Sequence, residues 1–196
     1  GWHLMRADGE TPACAGVTSI TAPSDGDTRY RSMDVVSDGV GSRIRLDALT
    51  TYTDTSGYDF GAGMYSTLAA RNGGAIDVPN LTTLQGVNLE LDGTGTLAVD
   101  KIVSMTNGRA ALAGDVEYVF AGLVDANDTD FEVDHASVVL PALSTLQQGR
   151  LTLDGGATAL APSLADIDGA SFDVAGGATL SLPSATSYDY ASTANS

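Results

Sequence analysis

Little in this chain could cross-link it. Cys14 is the single cysteine, so no internal disulfide can form and no zinc cluster can be built from thiolates. His3 and His135 are the two histidines and lie far apart in sequence, offering no metal pair. Lysine is nearly missing, with Lys101 the one example among nine basic residues. Glutamate is scarce as well, four against 21 aspartates. No apolar run approaches the roughly 20 residues that a helix needs to span a bilayer. The opening GWHLM is too short and too polar to read as a secretory signal.

What is present is acidic and rich in turn formers. Net charge is −16, hydrophobic residues make up 43 % and glycine occurs 23 times in 196 residues. That length supports one sizeable domain with its own core, and that apolar fraction argues against wholesale disorder. Aspartate disfavours helix interiors and favours turns. The negative field repels phosphate backbones and anionic membrane surfaces, which excludes nucleic acid and membrane insertion as expected partners.

The apolar residues repeat. Leu89 and Leu91 recur as Ala110/Leu112, Phe131/Val133, Leu151/Leu153 and Phe172/Val174, at steps of 21, 21, 20 and 21 residues. Ile76 and Val78 recur as Leu97/Val99, Tyr118/Phe120, Val138/Leu140, Ala159/Ala161 and Leu180/Leu182. Leu81 and Leu84 recur as Ile102/Met105, Leu123/Ala126, Leu143/Leu146, Leu164/Ile167 and Ala185/Tyr188. Turn signals such as Asp92–Gly93, Asp154–Gly155 and Gly73–Gly74 separate the segments. A three-residue strand is unstable alone. Stacked on its counterpart in the next coil, about 4.8 Å away, it joins a long sheet. The expectation is an all-β chain forming a right-handed parallel β-helix, or β-solenoid, with coils of about 21 residues and three short strands each. A leucine-rich solenoid is the rival; it wants an Asn ladder where this chain has Asp, Gly or Ala after LEL, LTL and FDV. Residues 1–30 show no period and read as an N-terminal cap or linker, residues 31–196 as the β-helix, and 53–65 as an insertion loop.

The stretches GGAIDVPNLTTLQGVNLELDGTG (73–95) and ASVVLPALSTLQQGRLTLDGG (136–156) resemble the LxLPxLTxLxGxxLxLxG repeats of very large secreted bacterial surface proteins. More distantly they resemble the β-helical L domains of growth-factor receptors and fungal cell-wall proteins. The resemblance implies an extracellular or cell-surface location and carries no catalytic residue with it.

Stacking turns positions into columns. One outward column reads Glu90, Ala111, Glu132, Thr152, Asp173, acid alternating with small residue. The column before it reads Asn88, Arg109, Asp130, Arg150, Ser171, which predicts a register-fixing ladder of Arg109, Asp130 and Arg150. Read instead as chemistry, Arg109 and Arg150 with Asp134 and His135 would form a catalytic group acting on an acidic polysaccharide. Asp125, Asn127, Asp128 and Asp130 crowd hard oxygen ligands into six residues, a composition that suits Ca²⁺ or a hydrated turn. Tyr58 and Phe60 on the insertion loop could bind a sugar face or pin the loop. Val119, Val139 and Leu160 form an apolar outward stripe, open to a surface polysaccharide, another domain or another copy. The leading expectation is a non-enzymatic structural or adhesive module of a large exported bacterial protein. A polysaccharide lyase or hydrolase and a carbohydrate-binding module stay open beside it.

Overall fold

A computed structural model describes residues 2–22, 32–55 and 65–190. Every regular element among them is a strand, and no helix occurs. The strands, numbered in chain order, form parallel sheets. The largest runs β1 (Trp2–Asp8), β3 (Met33–Asp38), β6 (Ser66–Arg71), β9 (Val87–Leu91), β12 (Arg109–Ala113), β14 (Asp130–Asp134), β16 (Arg150–Asp154) and β18 (Ser171–Val174). A second series of strands carries β4 (Arg43–Arg45), β7 (Ala75–Asp77) and β10 (Thr96–Leu97), then a separate sheet of β13 (Glu117–Val119), β15 (Ser137–Val139), β17 (Thr158–Leu160) and β19 (Thr179–Ser181). A third series stacks β2 (Ser19–Thr21), β5 (Thr51–Thr53), β8 (Thr83–Gln85) and β11 (Ser104–Thr106), and continues as single bridges through Asp125, Thr145 and Asp166.

Each sheet advances one coil per strand, the pattern of a solenoid-like chain. The register is the one the repeat predicts: Leu89, Ala110, Phe131, Leu151 and Phe172 are successive partners. Side chains alternate across each strand, so these and their neighbours two residues on face inward. Leu91, Leu112, Val133 and Leu153 are at most 3 % exposed. Each such side chain stabilises the stack by about 1.5–3 kcal/mol. Phe120 and Phe131 meet edge to face, ring centroids 6.1 Å apart. Val174 departs from expectation: it belongs to the same row yet is 43 % exposed, because β18 is the last strand of its sheet among the described residues.

Residues 2–22, where the sequence shows no period, contribute the outermost strands β1 and β2, and Ala13 bridges Arg45. They are stacked on the following coil strand for strand.

The coils turn at stacked left-handed residues. One column is Gly86, Asn107, Asp128, Gln148 and Gly169; another is Asn72, Gly93, Gly114, His135, Gly155 and Gly176. All have positive φ, a region that Gly, Asn, Asp and His enter more readily than other residues. Gly86 is required twice over, since a Cβ there would run into the Asp54 carbonyl oxygen. Asp54 is itself buried and accepts hydrogen bonds from the Ser66 amide (3.0 Å) and hydroxyl (2.7 Å). That clamp ties together the two ends of the insertion.

Candidate functional site

The outward face of the large sheet brings Arg109, Asp130 and Arg150 into register on neighbouring strands. The expected ladder does not form between them. Arg109 instead reaches diagonally to Glu132, its Nε 2.8 Å from Oε1 and its Nη2 hydrogen-bonded to Oε2. Ala111, directly beside Glu132, is small enough to let the guanidinium cross it. A bidentate carboxylate fits the planar fork better than a single in-register contact. The pairing raises the Arg109 pKa, chiefly through the hydrogen bonds it donates to Glu132. Asp130 is left without that partner; burial pushes its carboxyl pKa up, against the pull of Arg150 and Arg109. Arg150 donates from Nε to the Ser171 hydroxyl at 3.3 Å. Further along the face, Arg71 lies 3.1 Å from Asp38 and 3.9 Å from Glu90.

Asp134 and His135 do meet, with Oδ1 and Nδ1 2.6 Å apart. Both are exposed. Asp134 closes β14, four residues beyond Asp130, and His135 follows it, which places the pair about 13 Å along the strand from the arginine level. The four residues proposed as one catalytic group therefore sit at opposite ends of their strands. His135 holds a left-handed turn position. Its ring lies against Gly155 in the next coil, where a Cβ would collide with it. A polar cleft of about 390 Å³ beside it is lined by Asp115, Glu117, Ser137 and Gly155.

Asp125, Asn127, Asp128 and Asp130 are engaged in the stack. Asp125 Oδ1 accepts from the Asn127 amide at 3.1 Å, and Asn127 Oδ1 accepts from the Gln147 amide at 2.7 Å on the next coil. Asp128 occupies the left-handed column, and its amide donates to the Gln147 carbonyl. The motif recurs one coil on, with Asp166 Oδ1 accepting from the Asp168 amide and Asp168 from the Asp189 amide. Among the described residues no group of three or more His, Cys, Asp or Glu side chains converges on a metal position. Tyr58 and Phe60 lie outside the described residues.

Sequence reasoning missed Asp92. Its carboxylate accepts from the Asn72, Thr94 and Gly95 amides and from the Thr94 hydroxyl, all within 3.0 Å. Burial alone would raise its pKa, but these donors outweigh it and hold the group at about 2. The Asp–Gly dipeptide marks a turn in sequence; only the stack shows that Asp92 also reaches back to the preceding coil.

On β13, β15 and β17, Val119 and Leu160 are exposed and Val139 is half-buried, so the apolar stripe is present. The repeat also predicts Leu97 beside Tyr118, yet β10 and β13 end separate sheets. Tyr118 is the one aromatic in a column of aliphatic residues, and its hydroxyl is tied to the Ala113 carbonyl at 2.9 Å. The opening gives a cleft of about 1010 Å³ reaching Ile76, Leu91 and Leu97 and flanked by Arg43, Arg45 and Asp77. Arg43 is bound to Asp77 at 2.7 and 2.9 Å, and Arg45 to Asp47 at 2.9 Å.

No protein-family model, curated protein or solved structure matches this chain.

Proposed function

We propose that this chain is a structural or adhesive module of a large exported bacterial surface protein, folded as a right-handed, three-sided parallel β-helix. Right-handed crossovers are the rule between parallel strands. The observation that carries the reading is the use of the polar motifs: Asp92, Asn127, Asp168 and Arg109 each bind a neighbouring coil, and Asp54 clamps the two ends of the insertion. Side chains that resemble ligands or catalysts in the sequence thereby fix register and turn geometry. A surface with net charge −16 keeps an extended rod soluble and apart from its own kind along the flanks.

A second reading, action on an acidic polysaccharide, draws support from a different place than the sequence suggests. The cleft between β10 and β13 joins two arginines with Asp47, Asp77 and Glu117. Incubation with pectate and alginate, followed for unsaturated and reducing ends, separates the two. The module reading expects no time-dependent product. Product that disappears in Arg43→Ala or Arg45→Ala, the two arginines of that cleft, with the far-UV spectrum intact, would establish the enzyme.

A further inference from the structure

We propose that the outward face of β2, β5, β8 and β11 binds ice, its hydroxyls ordering a layer of water that merges with the crystal surface. The inference rests on the register of these four strands and is independent of the adhesive reading.

Ser19, Thr51, Thr83 and Ser104 are successive partners in one column of this sheet, and Thr21, Thr53, Gln85 and Thr106 in another. Between the two columns Ile20, Tyr52, Leu84 and Met105 are buried, so by strand alternation both columns face outward. Thr18, Thr50 and Thr82 precede the strands, and the Thr50 and Thr82 hydroxyls donate to the Thr18 and Thr50 carbonyls at 3.0 and 3.2 Å. No charged side chain stands at any of these positions, in a chain of net charge −16. Strand propensity alone does not confine threonine to one sheet. The outward positions of the large sheet carry Glu90, Arg109 and Glu132, and those of β4 and β7 carry Arg43, Arg45 and Asp77. There the polar groups bind each other, Arg109 to Glu132 and Arg43 to Asp77. The hydroxyls of Thr51, Thr53, Thr83, Ser104 and Thr106 make no hydrogen bond among the described residues.

Neighbouring hydroxyls in a column stand about 4.8 Å apart, and those two residues apart on one strand about 6.6 Å. Both spacings exceed the roughly 2.7–2.8 Å of a direct O–H···O bond, and the shorter one suits a single bridging water. A water placed in this way repeats from coil to coil, so the order extends in both directions of the face. Threonine is stiff about χ1; the array is set before water arrives, and little side-chain entropy is lost on binding. The methyl groups between the hydroxyls favour a caged water layer over them. A charge would turn nearby water dipoles toward itself and break that order, and the face has none. The solid that offers water oxygens at a regular two-dimensional repeat of this scale is ice. A crystalline polysaccharide is the poorer match, because sugar faces stack on exposed aromatic rings. The aromatic residue of this sheet, Tyr52, points inward and is fully buried. Each contact is weak, but a rigid array makes many of them at once.

Thermal hysteresis and ice-crystal shape of the whole chain, read in a nanolitre osmometer, test the proposal. The parent should hold the freezing point below the melting point and facet the crystal. Thr51→Lys and Thr83→Lys should each lose most of the hysteresis, while Thr179→Lys, at an exposed position on β19, should keep it. Thr83→Gln, uncharged like the Gln85 already on the face, serves where lysine disturbs the fold, and should lose hysteresis too. Far-UV spectra and urea midpoints identify the folded variants. A parent that neither shapes ice nor shows hysteresis overturns the proposal. So does activity that survives all three substitutions on the face, or that falls equally in Thr179→Lys. Retention on microcrystalline cellulose or chitin with no effect on ice, lost in Thr51→Lys and Thr83→Lys, would assign the face to a crystalline polysaccharide and overturn the proposal as well.

Discussion

Leu153→Ala and Val174→Ala probe one row at two depths. Leu153 is fully buried, paired in register with Val133 on one side and Val174 on the other. Truncation removes three carbons from a site whose backbone is held by parallel strands on both flanks. The walls cannot collapse far, so the cost should fall within the 2–5 kcal/mol seen for such cavities, about 3 kcal/mol. Val174 occupies the equivalent position but is 43 % exposed. Its two methyl groups are already partly in water, and their loss should cost about 1 kcal/mol or less. Urea unfolding followed by far-UV circular dichroism, at concentrations where the chain is monomeric, measures both. Stacked repeats stabilise one another through nearest neighbours, so Leu153→Ala should also broaden the transition as the last coils loosen first. Equal costs at the two positions, or a larger one at Val174, would refute the placement of β18 as the last strand of its sheet among the described residues.

Asp92 should make the fold acid-sensitive in a defined window. Its folded pKa of about 2 lies below the unfolded value of about 3.9. Its contribution is therefore fully present above the unfolded value and lost as pH falls toward 2. Asp92→Asn should flatten stability against pH between those limits, as read by urea midpoints at each pH; an unaltered slope counts against the amide cluster. His135→Gly and Asp128→Gly should each leave stability within about 1 kcal/mol of the parent or slightly above it, because both hold left-handed positions that other coils fill with glycine, Gly114 and Gly155 beside His135 and Gly86 and Gly169 two coils from Asp128. A chelator should leave the melting temperature of both the parent and Asp128→Gly where it is; a drop in the parent alone would restore a Ca²⁺ role for residues 125–130.

The repeat period was readable from the sequence because stacking is periodic. A coil of constant length presents the same inward position each turn, and only apolar residues can fill it. That one constraint yields the all-β character, the parallel pairing and the row from Leu89 to Phe172 in register. Tertiary structure decided what each polar side chain does, since its partner lies about 20 residues away and depends on angle as well as column. Arg109 was placed in the right column, yet its choice of Glu132 over Asp130 turns on the space above Ala111. Asp134 and His135 are adjacent in any reading, while their distance from the arginines follows from strand direction. The opening between β10 and β13 leaves no mark on the period, for the 21-residue step from Leu97 to Tyr118 is unbroken. A sequence column records which residues share a face; whether two coils close on each other there is settled by side-chain volume and the bonds that hold the ring, here Tyr118 to Ala113.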